Sequence, residues 1–459
     1  MNSRRARYFL GVTLAVVAAT VLRPISAHPQ TAISPPVFAA CHPATPPALP
    51  MRWRAVGLMS PFKIGQIDVG EFVYDGNIPA LRATLYGLES GAVDLLITGT
   101  DTYLLSGPYH APTGCTSLGR RFTPSAQWLS AGAVCIGEAP LATTDVQWWS
   151  IPGVKDQAIR YWFRKKTRLP WRSVFLTPSS NPAVIGDYAM TYFPTFAPLS
   201  KTNIARLRDF CAAHAKKSNA AAANATTARA LMAIRNEAAE AERLQRIGTL
   251  IPGLSHAACS GVAPVPWPNQ FVMTAILTPQ SFRRRPYSTI MYYDWNGTGS
   301  QVAGNYQGTP PLLQNIVMLK NRVGFWLRRD KSAGVKCLAA YPGIVRPDWM
   351  TSAFCKCRGV IERNPDLNPD GVVRIFACPI KWQLGHVMWS WYTPKGDPVM
   401  FMEAAASKVG VMLADYESWF PGVAPPASFF NLPAECSAIG AIEGRLSDPS
   451  CSDCHTTPQ

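Results

Sequence analysis

The chain has 459 residues, 47% of them hydrophobic and 16% charged, with a formal net charge of +16. These proportions exclude a dominantly disordered chain, and the length suggests two or three domains, each with enough apolar residues for a core. In an exported chain, such basicity points to acidic lipid or polysaccharide surfaces and away from nucleic acid.

Residues 1–27 are predicted to be a signal peptide. Arg4, Arg5 and Arg7 give the positive start, 8–22 is an apolar stretch short of a comfortable membrane span, and Ala27 offers a small residue for cleavage. Cleavage removes four arginines and no acid, leaving +12. No later apolar run is long enough to cross a bilayer, so no transmembrane segment is expected after cleavage. The expected location is extracellular, or periplasmic if the source is bacterial. In such a compartment cysteines read mainly as disulfides. Asn224 and Asn296 start sequons that matter only in a eukaryotic secretory pathway.

Residues 28–50 are rich in Pro and Ala and predict an extended leader, with Cys41 available to staple it. A first β domain is expected over 51–211, where short apolar stretches such as "ALRATLYGL" and "AIRYWF" are punctuated by Gly and Pro. Residues 212–255 change texture to Ala, Glu and Arg and predict a helical linker. Its apolar stripe is expected at Leu231, Ile234, Ala238, Ala241 and Leu244, with Gly248 and Pro252 as stops. A second β domain is expected over 256–436, followed by a polar tail, 437–459.

The two β regions read as copies. "AIRYWFRKKTRLPWRSVFLT" (158–177) matches "HVMWSWYTPKGDPVMFMEA" (386–404) in the order of aromatic strand, basic turn, Pro and apolar strand. Phe193-Pro194 is matched to Phe420-Pro421, Cys211 to Cys436, and Cys115 and Cys135 to Cys337 and Cys378. The fold class expected is mainly β: two tandem curved antiparallel sheets of half-barrel type, joined by an Ala-rich helix.

The second copy carries "STIMYYDW", a hairpin at Gly396, Asp397, Pro398, Val399, Met400 and Phe401, and an ending from Phe430 through Pro433 to Cys436. In these motifs and their order it resembles secreted ependymin-related and LolA-like domains. The resemblance covers about 267–436, and more weakly 51–211, where the hairpin glycine is lost ("TRLPWRSVF"). It implies a curved, half-open antiparallel sheet whose concave face takes a hydrophobic or amphipathic ligand. Met388, Trp389, Trp391, Met400, Met402 and Met412 are the candidate cavity residues, since Met suits a variable apolar guest. The same residues also read as ordinary core.

Disulfides are expected among Cys115, Cys135, Cys211, Cys337, Cys355, Cys357, Cys378 and Cys436, with Cys41 and Cys259 completing an even ten. Cys355 and Cys357 are too close to bridge each other, so each is expected to bond elsewhere. Zinc at "CKC" with Cys337 and Cys378 is the weaker reading in an oxidising compartment. "DLNPDG" (366–371) begins like a calcium loop, but its twelfth position is Ala377, so it reads as a turn. No G-x-S-x-G, H-E-x-x-H or phosphate-binding glycine loop is present, and no enzyme activity is expected. Cys451, Cys454 and His455 spell C-x-x-C-H, the attachment pattern of a c-type haem, although only four residues follow. Three expectations result. The first is a lipid-like binding protein without cofactor, the second a monohaem electron-transfer protein, and the third a structural or adhesion protein.

Overall fold

A computed structural model describes residues 39–436 apart from 62–65, 89–90, 110, 120–132, 142–143, 153–157, 176–187, 218–236, 279–285, 298–299, 306–311, 319–322, 331–333, 343–345, 351–353, 363–370, 380–386, 405–410 and 433. The signal peptide, the C-x-x-C-H tail, Asn224, Leu231, Ile234 and the calcium-like residues 366–370 lie outside these.

The first sheet contains a run of six strands: β1 (Arg52–Pro61), β2 (Asp68–Asp75), β3 (Ala80–Gly87), β4 (Ala92–Ile97), β5 (Thr102–Ser106) and β6 (Gly114–Ser117). A run of five follows: β7 (Val134–Leu141), β8 (Thr144–Pro152), β9 (Ala158–Arg164), β10 (Pro170–Phe175) and β11 (Tyr188–Pro198). Next come α1 (Ile204–His214), β12 (Lys216–Lys217), α2 (Glu237–Leu250) and β13 (Leu254–Ser255).

The second sheet repeats six and then five. The six are β14 (Gln270–Thr278), β15 (Tyr287–Asp294), β16 (Ser300–Asn305), β17 (Leu312–Met318), β18 (Val323–Asp330) and β19 (Gly334–Pro342). The five are β20 (Lys356–Ile361), β21 (Val373–Pro379), β22 (Val387–Tyr392), β23 (Pro398–Ala404) and β24 (Val411–Pro421).

Each run is an antiparallel meander, and in each sheet the first strand of the six pairs with the last of the five, β1 with β11 and β14 with β24. β12 adds to the edge at β6 and β13 to the edge at β20, so neither sheet closes into a barrel. The mainly β, open-sheet class read from the sequence is what the chain adopts.

Local chemistry explains the shared turns. Asp75 at the end of β2 accepts the Asn77 N–H (3.1 Å), and Asp294 at the end of β15 accepts the Gly297 N–H (2.8 Å). The β22–β23 turn places Gly396 at φ +93°, with the Val265 side chain 2.7 Å from where a Cβ would stand. In the β9–β10 turn Arg168 takes a left-handed φ of 56°. A non-glycine residue in that conformation costs roughly 1–2 kcal/mol, partly offset by an Arg168 hydrogen bond to the Thr45 carbonyl (2.8 Å).

Register corrects two matches made from sequence. Trp53, the second residue of β1, faces Pro198, while Phe271, the second of β14, faces Pro421. Pro198 therefore holds the place of Pro421, and Pro194 does not; the shared Phe-Pro dipeptide was a coincidence of composition. Likewise Cys135 on β7 and Cys357 on β20 each sit at a bulge two residues before a glycine. Cys357 is thus the positional counterpart of Cys135, and Cys378 on β21 is not.

Five disulfides join the described cysteines: Cys41–Cys135, Cys115–Cys211, Cys259–Cys357, Cys337–Cys436 and Cys355–Cys378. The first four form two crossed pairs of one design. In each, a cysteine before the sheet reaches the first strand of the five, and the last strand of the six reaches a segment after the sheet. All four cysteines of the zinc reading are spent in these bonds.

The leader is part of the first sheet's packing. Ala39 pairs with Glu138, the His42 N–H donates to Glu138 (2.9 Å), and Leu49 packs on the apolar face formed by Trp53, Tyr74 and Phe196. The linker also differs from expectation. Helix α1 lies partly before 212, and α2 runs through Gly248 to Leu250. The buried stripe of α2 is Arg243, Ile247 and Leu250, while Leu244 is exposed. The sheet surface turned the helix toward Glu71 on β2, where Arg246 finds a charge partner (2.6 Å).

Candidate functional site

The two sheets meet through corresponding faces. On the first, Leu58, Tyr192, Arg172, Trp162 and Trp148 follow one another in register across β1, β11, β10, β9 and β8. Side chains alternate along a strand, so Arg160 and Ser150 share that face. On the second, Trp391 pairs with Met400 and Trp389 with Met402, with Ile375 beside Trp391. These surfaces merge into one core containing Trp148, Trp162, Trp171, Tyr192, Trp389, Trp391, Met400 and Met402. The Arg172 Nη1 donates to the Met400 sulfur at 3.3 Å, and the guanidinium stacks over the Trp171 ring at 3.9 Å. Nearby, a Cβ on Gly359 of β20 would stand 3.0 Å from the Ile67 side chain of the first unit. Glycine permits that close approach.

Four of the six candidate cavity residues therefore converge: Trp389, Trp391, Met400 and Met402 are fully buried on one face. Met388 is buried but lies between Val387 and Trp389 in sequence, so it projects to the opposite face. Met412 pairs in register with Glu403, one step out of phase with Met400 and Met402. Reading all six as one wall ignored the period of two. Trp148, Trp162, Trp171, Arg160 and Arg172 form the facing wall and were missed. Their signal was present in "QWW", "RYWF" and "PWR", but which side each residue faced required the register.

Arg160 is 0% exposed and Arg172 3%. Burial pulls the Arg160 guanidinium down to about 9, so it stays protonated at neutral pH. The same face of the second sheet places Trp389 and Met400 at the equivalent register positions, taking Trp162 and Trp391 as counterparts. One wall is cationic and aromatic, and the other is wholly apolar at these positions.

A second polar cluster fastens α2 to the first sheet. Glu71 is 3% exposed and accepts hydrogen bonds from Arg54 (2.7 Å) and Arg246 (2.6 Å). The guanidinium groups of Arg82 and Arg246 lie 4.0 and 5.0 Å from the Tyr109 ring centroid, and Arg82 pairs with Asp94. Burial and the Glu71 charge push the Tyr109 hydroxyl up to about 12. For Glu71, burial raises the carboxyl, but hydrogen bonds from Arg246 and Arg54 and their charges outweigh it, so its pKa lies below the ordinary value. A depressed folded-state pKa stabilises the fold above the unfolded-state value, and that stability is lost as pH falls through the folded one. Glu71→Gln is expected to cost about 2–3 kcal/mol at pH 7, since it breaks a buried pair whose arginines are partly hydrated. The cost should shrink as pH falls below the carboxylate range. Urea unfolding of both proteins from pH 7 to pH 3 reads this, and a pH-independent difference would refute it.

Among the described residues, no group of three or more His, Cys, Asp or Glu is placed to hold a metal ion. No helix there is long and apolar enough to cross a membrane.

No known family and no curated protein matches the chain. Solved structures show weak likeness. An uncharacterised conserved protein of Thermus thermophilus is 14% identical, covering 37% of this chain and 93% of its own, with a TM-score of 0.25. MucB is 12% identical over 65% of this chain and 89% of its own, at 0.22. The Pseudomonas aeruginosa MucA/MucB complex gives 10% identity, 81% and 94% coverage, and 0.20. At these values none assigns a family or a function to this chain.

Proposed function

We propose that the chain is an exported, disulfide-stapled pair of tandem β units that takes up a hydrophobic or amphipathic ligand between its sheets and acts by binding, not catalysis. The observation that carries this reading is the composition of the inter-sheet interior. Beside branched aliphatics such as Leu58, Val146 and Ile375, it holds Trp148, Trp162, Trp389 and Trp391, the adaptable Met400 and Met402, and the Arg172 guanidinium against Met400. The two walls fill one another, so uptake requires them to part, and the unbranched Met side chains allow that at small cost.

Repeated strand order and repeated crossed disulfides support the reading of the two units as copies. Kinship of the second unit with ependymin-related and LolA-like domains belongs to the same proposal, supported by the turn at Asp294 and the hairpin at Gly396. The disulfides support an oxidising compartment, and the net charge of +16 supports action at an acidic lipid or polysaccharide surface.

The test is native mass spectrometry of the protein from its own host, with fluorescence of a naphthyl apolar probe. Co-purified lipid and probe binding that weakens at least tenfold in Trp389→Ser/Met400→Ser are expected. Absence of both lipid and probe binding would sink the reading.

One observation favours a second reading for the tail. The chain has twelve cysteines, and ten are joined in the five disulfides. Cys451 and Cys454 are what remains, and they are the pair in C-x-x-C-H. A covalently attached haem would add a Soret band to the same sample. A colourless protein from a host competent in cytochrome maturation excludes it.

A further inference from the structure

We propose that Cys41–Cys135 is a redox latch: a dithiol opens it and the segment 39–50 then leaves the edge of β7, whereas the matching segment of the second unit stays docked when its own bond, Cys259–Cys357, is reduced. The two segments share one design. Cys41 lies eight residues before Leu49 and twelve before Trp53, and Cys259 lies eight before Trp267 and twelve before Phe271. The Met51 carbonyl accepts the Gly76 N–H and the Asn269 carbonyl accepts the Trp295 N–H, both at 2.7 Å. Cys41, Cys135, Cys259 and Cys357 are all half-buried, so an incoming thiol reaches both bonds, whereas each of the other three disulfides has at least one buried cysteine.

What holds each segment down differs. In the second unit Trp267 is buried, with its ring against Phe271 (5.2 Å), Trp349 (5.6 Å) and Tyr293 (5.8 Å). Its backbone N–H donates to the Pro347 carbonyl (2.8 Å) and its indole N–H to the Tyr392 hydroxyl (3.1 Å). In the first unit the equivalent Leu49 is half-buried, and residues 42–45 are exposed. Beyond Leu49 the fastenings are polar. Ala39 and Glu138 exchange backbone hydrogen bonds (2.8 and 2.9 Å), and the His42 N–H donates to the Glu138 carboxylate (2.9 Å). Gln147 donates to the His42 carbonyl (3.0 Å) and Arg168 to the Thr45 carbonyl (2.8 Å). Water replaces such contacts at small net cost, but it does not replace the burial of a Trp ring.

In the exchange, a thiolate of the dithiol attacks one sulfur of the bond, and the other sulfur leaves as a thiolate and takes up a proton. The donor's second thiol then resolves the mixed disulfide, so the donor ends as a disulfide and Cys41 and Cys135 as thiols. A docked segment keeps its two thiols together and favours reclosure. A segment that lifts away lets them part, which favours the reduced state. Release frees the outer edge of β7, the last strand of its sheet, for pairing with another strand.

The experiment equilibrates the full chain with graded ratios of reduced to oxidised dithiothreitol, then alkylates free thiols and maps them by peptide mass spectrometry. Cys41 and Cys135 are expected to label at a ratio about tenfold lower than any other pair. Labelling of another pair first, or of all pairs together, overturns the latch. Amide hydrogen exchange follows the segments themselves. In Cys41→Ser/Cys135→Ser, exchange over 39–50 should quicken about tenfold or more while β1 and β2 keep their protection. In Cys259→Ser/Cys357→Ser, exchange over 259–270 should change by less than about threefold. No change in the first variant, or an equal change in both, overturns the proposal. Circular dichroism and melting establish that the variants are folded. If either is not, exchange is read on the wild-type chain at the ratio that opens Cys41–Cys135, with the same two segments compared and the same outcomes.

Discussion

Cys115→Ser/Cys211→Ser is expected to lower the unfolding free energy by about 4 kcal/mol and leave the remaining disulfides formed. The bond ties β6 to α1 across a sequence separation of 96, and both cysteines are buried. Closing a loop near 100 residues removes denatured-state entropy worth about 4.7 kcal/mol in the chain-entropy account, and removal of native disulfides costs about 2–5 kcal/mol. Cys259–Cys357, with a separation of 98, should cost as much, whereas Cys355–Cys378, with a separation of 23, should cost nearer 3 kcal/mol. Urea unfolding of the three paired variants tests the ranking. A Cys115–Cys211 loss below about 1 kcal/mol would show that α1 adds no constraint beyond its own packing.

Trp391→Ala is expected to cost about 3–5 kcal/mol, the range for deleting a buried aromatic ring. Trp391 is wholly buried, lies between Ile375 and Met400 in register, and has its ring centroid 6.2 Å from that of Trp389. Because the core continues from these residues into Trp148, Trp162 and Tyr192 of the other sheet, the loss should appear in one unfolding transition. Two separated transitions in tryptophan fluorescence and circular dichroism would show that the sheets unfold independently and that their shared face contributes little. Met51→Ala, at a residue half exposed, serves as the control and should change stability by less than about 0.5 kcal/mol.

Much of the architecture was legible because β structure writes itself locally. Alternating branched and aromatic residues with Gly, Pro and Asp punctuation marked strands and turns, and the Ala/Glu/Arg tract marked α2. Where local chemistry was ambiguous, the sequence reading slipped. Leu244 sat on the expected apolar stripe of α2, yet Arg243, Ile247 and Leu250 are the buried residues, because an ion pair with Glu71 decided the helix's rotation. Pro194 and Pro198 both follow aromatic-rich stretches, and only pairing with β1 distinguishes them. Met388 and Met412 resemble Met400 in composition and differ from it in phase.

By itself the sequence determined that this is a mainly β, cysteine-rich chain, since periodicity, turn residues and spacing are properties of neighbouring residues. Tertiary structure alone decided three things: the pairing of ten cysteines into two crossed designs and one extra bridge, the contact of Arg172 with Met400 across the two sheets, and the complete burial of Arg160. Each depends on contacts between residues far apart in the chain. A strand's two faces are set by register, and register is fixed by partners that no local window contains.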